Sequence, residues 1–281
     1  MAVKIVTDSL SDITSDIAQG LGITVVPLTV SFGRESFLDR ITMTTDEFYK
    51  RLAHGTTWPT TTQPPPSDFV NVCNKLAEET DEILVITLSS KLSGTYESAL
   101  NAKGMIKGKC RIEVIDSLTV AMGLGLIVIA AAKAAQAGAN LDEVADLVRR
   151  AMPRSHVVML FDTLKYLAKG GRIGKAQGLL GSLLSVKPIL ILRDGEVSPL
   201  TRVRSRVAGV DYLYNFVAGF PKIEELAVEH ATTPDDADKL AERLSPLFPK
   251  ERIYRSTISP VVGTYAGPGV LSVTVLEAGS K

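Results

Sequence analysis

The chain has little of what most catalytic and metal centres are built from. Its two cysteines, Cys73 and Cys110, are far apart and form no CxxC pair. That argues against a disulfide framework and fits a reducing compartment. The three histidines, His54, His156 and His230, share no metal-ligand spacing, so no metal site is expected. Neither sign of charge is in surplus, because 31 Lys and Arg balance 31 Asp and Glu. There is no excess positive charge to hold nucleic acid or an anionic membrane. Long hydrophobic runs are missing as well. The longest, residues 120–132, is broken by Lys133 and is too short to span a bilayer, so it reads as a buried helix. The first residues, Met-Ala-Val-Lys-Ile-Val, lead into a strand pattern without a secretory signal. A soluble, cytoplasmic protein is expected.

Several chemistries are absent as motifs. No GxGxxG follows the first strand pattern, which leaves a dinucleotide fold unsupported. Residues 170–175 are one residue short of a phosphate loop, and Ala176 stands where a Ser or Thr would bind magnesium. Ser93 has no GxSxG setting and no histidine near it in sequence, so a hydrolase triad would need spatial proximity alone. No cofactor is expected.

What is present begins with ordinary globular composition, 45% hydrophobic and 22% charged over 281 residues. That is enough chain for a sizeable core, in two domains. The most informative stretch is Ser89-Ser90-Lys91-Leu92-Ser93-Gly94-Thr95-Tyr96. It follows an apolar run, residues 83–88, that reads as a buried strand. It precedes a helical pattern over residues 97–105. A turn between strand and helix aims free N–H groups and the positive end of the helix dipole at one spot. Ser and Thr add hydroxyl donors, and Gly94 lets a ligand approach the backbone closely. The result is an anion site of mostly neutral donors. The plainer alternative is that Ser93 is only a helix N-cap.

In chain order, residues 3–7 read as a strand ending in Asp8-Ser9. A helix follows, capped near Ser11 or Thr14 and stopped by Gly20 and Gly22. Residues 23–32 read as a strand, bent or at an edge because of Pro27. Thr44 to Glu47 and Asn140 to Glu143 resemble capping boxes for helices ending near Leu52 and Ala151. Between them, residues 58–66 (Trp-Pro-Thr-Thr-Thr-Gln-Pro-Pro-Pro) form a stiff, extended segment. It is either a surface linker or a rigid rail presenting hydroxyls. Ser67 is a candidate cap for the next helix. Residues 111–115 form another strand, ending in Asp116-Ser117. This alternation predicts a parallel sheet, with ligands at the carboxyl ends of its strands. Three loops meet there: Asp8-Ser9, the serine turn and Asp116-Ser117. Asp8 and Asp116 can equally be helix caps.

The second half mixes strand, helix and a hairpin around Arg193-Asp194-Gly195. The expected fold class is therefore α/β, a parallel-sheet α/β domain over residues 1–155 followed by an α+β domain over residues 156–281. Leu179, Leu180, Leu183 and Leu184 form one apolar helical face. With residues 189–192 they are candidate walls for an apolar ligand, or ordinary core.

Taken together, Asp8-Ser9, residues 59–64, Ser90-Lys91-Leu92-Ser93-Gly94-Thr95, Asp116-Ser117, Gly170-Gly171-Arg172-Ile173, Lys187-Pro188 and Gly263-Thr264-Tyr265-Ala266-Gly267-Pro268-Gly269 resemble the DegV family. The resemblance covers essentially the whole chain in order. It implies a two-domain protein holding a long-chain fatty acid in a tunnel between the domains. Family members include the acyl-binding subunit of bacterial fatty acid kinase, which presents the acid to a separate ATP-dependent subunit and serves phospholipid synthesis. On that resemblance, Ser93 and the Gly94 N–H bind the carboxylate. A hydroxyl of Thr61 or Thr62 meets it from the other side, and Arg172 and Arg202 lie near the mouth. Tyr265 stands where the kinase subunits have His; it donates a hydrogen bond but carries no charge near neutral pH. The chain alone would then not be catalytic. The alternative is a stand-alone enzyme acting on a small phosphorylated or carboxylated metabolite, resting on Asp8, Asp116 and the serine loop. A third reading, a lipid-responsive regulator, needs a partner surface.

Overall fold

The computed structural model describes residues 2–106, 108–182 and 186–279. The strands run β1 (Lys4–Asp8), β2 (Ile23–Val26), β3 (Thr29–Phe32), β4 (Glu35–Leu38), β5 (Pro59–Thr62), β6 (Glu82–Thr87), β7 (Arg111–Asp116), β8 (Ser155–Leu160), β9 (Lys187–Arg193), β10 (Glu196–Val203), β11 (Ile223–His230), β12 (Ile253–Thr257) and β13 (Leu271–Glu277). The helices are α1 (Ser15–Leu21), α2 (Thr45–His54), α3 (Pro66–Leu76), α4 (Thr95–Met105), α5 (Met122–Gln136), α6 (Leu141–Ala151), α7 (Lys165–Lys169), α8 (Arg206–Ala218), α9 (Pro234–Leu244) and α10 (Pro260–Ala266).

The first half builds the expected parallel sheet, in the order β2-β1-β6-β7. From β1 the chain moves out to β2 on one side and later returns to β6 on the other. Strand order therefore reverses at β1, which opens a crevice beyond the carboxyl ends of β1 and β6. The second half forms a six-stranded mixed sheet, β10-β9-β8-β13-β11-β12, antiparallel except between β11 and β12. Its β9–β10 hairpin turns through Asp194 and Gly195, both with positive φ (54° and 81°). That is the conformation an Asp-Gly hairpin turn favours.

Helix α5 lies between the two sheets, packed against β1 and β6 on one side and β8, β11 and β13 on the other. Leu124 and residues 126–129 on it are fully buried. A helix apolar all round is stable only when covered on every side, so the longest hydrophobic run becomes the shared core. Among the described residues, no helix is long and apolar enough to cross a membrane.

Three expectations are modified. Residues 23–32 are two strands, broken around Pro27-Leu28: β2 edges the parallel sheet and β3 leaves it. A proline cannot donate to a ladder, so the break falls where it costs no bond. β3 then pairs with β4 and with β5, making a small antiparallel sheet absent from the sequence reading. The Pro-Thr segment is thus neither linker nor free rail, because residues 59–62 are ladder-bonded to β3. The leucine segment from Gly174 to Ser182 is a 3-10 helix, not an α-helix. Leu179 packs against the core, while Leu183 and Leu184 lie outside the described residues. Of the caps, Thr44 and Asn140 act as expected, and Asn140 with Glu143 completes a full box. Ser67 caps nothing, since α3 starts one residue earlier after Pro65.

Candidate functional site

The crevice over β1 and β6 contains a cavity with about 620 Å³ of empty space, in part open to solvent. Leu10, Leu88 and Val120 line it from the loops after β1, β6 and β7, and Met159 and Phe161 from the end of β8. Leu28, at the head of β3, and Val261, Val262 and Ala266 on α10 also line it. Thirteen of the seventeen lining residues described are apolar, so the cavity favours a hydrocarbon over a sugar or nucleotide. The polar four are Thr61, Ser93, Arg172 and Tyr265.

Those four come from elements far apart in sequence. Strand β5 turns Thr61 inward and leaves Thr60 and Thr62 exposed, the alternation a strand imposes. The Thr61 hydroxyl shares a hydrogen bond of 2.5 Å with the Tyr265 hydroxyl. The Arg172 guanidinium lies 4.9 Å from the centre of the Tyr265 ring. It donates to the backbone oxygens of Leu92 (3.2 Å) and Gly170 (2.9 Å). Gly170 must be glycine, because a Cβ there would meet the Tyr265 ring at 2.3 Å. Ser93 Oγ shares a hydrogen bond with Thr95 Oγ1 at 2.9 Å. Ser93 is not the N-cap of α4; Gly94 holds that position, without a side-chain cap.

The other predicted site residues are placed differently. Thr62 faces away from the cavity. A Cβ on Gly94 would lie 2.2 Å from Gln63 Oε1. The group that needs the missing side chain is therefore Gln63, whose Nε2 also donates to Ser98 Oγ (3.0 Å). Arg202 is exposed on β10, paired with Pro188, and is not among the lining residues.

The aspartates at the strand ends tie loops together. Asp8 accepts from the N–H groups of Leu10 (3.0 Å) and Leu88 (2.7 Å), and so joins β1 to β6. Asp116 accepts from Ser90 and Leu118, both at 3.1 Å. These carboxylates are occupied by backbone donors, and neither residue lines the cavity.

The family model described as an uncharacterised protein family, DegV, matches residues 2–278. The chain belongs to the DegV family. A DegV domain-containing protein of Caldanaerobacter subterraneus is 38% identical over 275 residues, 96% of this chain and 97% of that one. Among solved structures, a DegV family protein from Thermus thermophilus, described for its fatty acid binding, superposes with a TM-score of 0.91 at 31% identity, covering 99% of this chain and 100% of that one. DegV from Bacillus subtilis, described as a fatty acid binding protein, gives a TM-score of 0.89 at 30% identity over 99% and 100% of the two chains. The parallel-sheet first half and mixed-sheet second half are thus the DegV fold.

Behind the cavity, this DegV chain buries a group of acids that the sequence reading did not single out. Asp39 Oδ2 accepts from Ser9 Oγ (2.7 Å), whose oxygen in turn accepts from Leu28 N–H (3.1 Å). Asp12 Oδ1 lies 3.1 Å from Arg40 Nη2 and accepts from Ser259 N–H at 3.3 Å. Glu229 accepts from Met122 N–H at 3.2 Å. Arg40 also donates to the carbonyl of Thr257, and Tyr49 donates to that of Ile258 (3.2 Å). These bonds bind the first half of the chain to the segment that leads into α10. No local motif marks them, because their partners are up to 247 residues apart.

Burial pushes the carboxyl of Asp8 up to about 7, against the two N–H groups that pull it down. Burial likewise pushes Asp39 up to about 7, opposed by the Arg40 charge and the Ser9 hydroxyl. Burial and then the Asp12 charge hold Glu229 well above the usual carboxylate range. These acids keep their protons to a higher pH folded than unfolded. Folding therefore takes up protons between about pH 4 and 7, and stability from these groups is lost as pH rises through about 7. In urea melts, the wild type is expected to be more stable near pH 5.5 than near pH 7.5. Asp39→Asn should remove about 1–3 kcal/mol of that difference. An unchanged difference in the variant would show that Asp39 does not hold the proton.

Proposed function

We propose that this chain binds one long-chain fatty acid, with the hydrocarbon in the apolar cavity and the carboxylate at Thr61, Ser93 and Tyr265. The observation that carries this reading is the segregation of the lining: apolar side chains over most of it, with the Thr61 and Tyr265 hydroxyls bonded to each other and the Arg172 guanidinium on the Tyr265 ring and on the carbonyl of Leu92, the residue before Ser93. Residues 1–155 and 156–281 are the two domains flanking the ligand. The fatty acid binding described for the Thermus and Bacillus relatives points the same way.

The energetics are sufficient. Burying an acyl chain of about sixteen carbons contributes on the order of 10 kcal/mol at roughly 0.8 per methylene. Association costs offset part of it. The carboxylate then needs donors only to avoid an unsatisfied buried charge. The Ser93 hydroxyl, the Gly94 N–H and the Thr61–Tyr265 hydroxyl pair supply neutral donors that leave the oxygen nucleophilic. Ser93→Ala is expected to weaken oleate binding by about 1–3 kcal/mol, the cost of one bond to a charged group. Unchanged affinity in a fluorescence displacement assay would place the carboxylate elsewhere.

The finer reading is that the protein works in the cytoplasm and presents the bound acid to an ATP-dependent acyl kinase subunit. Arg172, exposed beside Thr61, Ser93 and Tyr265, and Arg202 on β10 are the cations for that encounter. Tyr265 in place of a histidine leaves the head uncharged on that side. The test is transfer of labelled phosphate from ATP to the bound acid with a bacterial acyl kinase subunit added. Label in the acyl fraction only when both proteins are present is expected. Label without the kinase subunit would mean that the chain is itself an enzyme.

A further inference from the structure

The two halves of the carboxylate site stand on separate elements. Thr61 is on β5, while Ser93 and Gly94 belong to the loop that leads into α4. A carboxylate between them needs donors from both at hydrogen-bond distance at once, so its affinity depends on how the two are spaced. Packing of α3 on α4, with Phe69, Cys73, Ala99 and Ala102 in one cluster, fixes the body of α4. The first turn of α4 is held from a different place, by Gln63.

Gln63 follows β5 directly and precedes Pro64-Pro65-Pro66. A residue before proline is confined to extended backbone, and side chains two apart along an extended chain share a face. Gln63 therefore returns to the side on which Thr61 lies. Its Nε2 donates to Ser98 Oγ at 3.0 Å, and the Ser98 N–H donates to the Gly94 carbonyl at 3.0 Å. A Cβ on Gly94 would lie 2.2 Å from Oε1, 2.7 Å from Nε2 and 2.8 Å from Cδ of Gln63. The carboxamide thus packs on Gly94 and bonds to Ser98, which secures both ends of that turn. Gly94 itself has φ −75° and ψ 13°, a backbone that does not call for glycine. What the missing side chain supplies is room, and Gln63 occupies it.

We propose that Gln63 is a positioning residue: it sets the distance from Thr61 to Ser93 and the Gly94 N–H, and Gly94 is bare to admit its carboxamide rather than the ligand. This rests on the acyl-binding reading above. Delipidated full-length protein is titrated with oleate and with oleyl alcohol, which keeps the hydrocarbon and lacks the carboxylate; urea melts establish that each variant is folded. Gln63→Ala should weaken oleate binding about three- to tenfold, the scale of one hydrogen bond, and leave the alcohol within about twofold. Gly94→Ala, whose methyl group takes the place of the carboxamide, should do the same. The double variant should bind oleate no worse than Gly94→Ala alone, because both changes remove one arrangement. Additive losses, equal losses for oleate and the alcohol, or unchanged oleate affinity in Gln63→Ala each overturn this assignment. Wild-type protein that binds neither compound instead overturns the acyl reading itself.

Discussion

Replacing Val262 by tryptophan is expected to cost the protein most of its affinity for fatty acid while leaving it folded. Val262 lines the cavity from α10 and its side chain is nearly buried. An indole there takes the room of about three methylenes of ligand, worth about 2.4 kcal/mol, or roughly 60-fold in affinity. The cavity is open enough to receive part of the ring, so the cost to stability stays within the usual range for overpacking, about 1–3 kcal/mol. Displacement titration with oleate reads the first effect and a urea melt the second. Full affinity in a folded variant would mean that the hydrocarbon does not lie along α10. Val262→Ala serves as the control, because it enlarges the same place and should retain ligand.

Arg40→Ala is expected to destabilise the protein by about 3 kcal/mol or more near neutral pH, among the largest effects any single change here should have. Asp12 is fully buried, and Arg40 is the cation that faces it, at 3.1 Å. Without the guanidinium, Asp12 must hold an uncompensated charge or take up a proton. Burial already raises its carboxyl above the usual range, with Arg40 as the main opposing influence. The loss should therefore shrink as pH falls and Asp12 takes up a proton, and Asp12→Asn in the Arg40→Ala background should restore part of it. Urea melts at two pH values decide the matter. A loss below about 1 kcal/mol, or one independent of pH, would show that the pair does not hold the two halves of the chain together. Because the same cluster anchors the start of α10, the variant should also bind fatty acid less tightly than its stability loss alone explains.

What could be read from sequence follows the range of the interactions. The β1, β6 and β7 strands, the buried α5 and the Asp-Gly hairpin are fixed by periodicity and turn chemistry within a dozen residues. They were legible, and so was the convergence of three loops at the carboxyl ends of parallel strands. The three-stranded sheet was not. β5 is four residues of Pro and Thr whose strand character comes only from pairing with β3, some thirty residues earlier. Thr61 and Thr62 looked equivalent until that pairing chose which faces the cavity. Gly94 was singled out for close approach of a ligand; the group that the structure places against it is Gln63, which no local rule names. Of the apolar lining, Leu192 fell within the run 189–192 singled out as a candidate wall; most of the rest was invisible for a different reason. Leu10, Leu88 and Val120 each follow a strand as ordinary hydrophobic residues. Only the strand order, with its reversal at β1, puts them around one space. The buried acids were hidden most completely, because Asp12 and Arg40 sit in left-handed backbone conformations with partners across the whole chain.

The most direct measurement is native mass spectrometry of the purified full-length chain, followed by analysis of the organic extract. One long-chain fatty acid per protein, retained through purification or restored by incubation with oleate or palmitate, is the expected result. A protein mass with no adduct and an extract without fatty acid, before and after that incubation, would contradict the account.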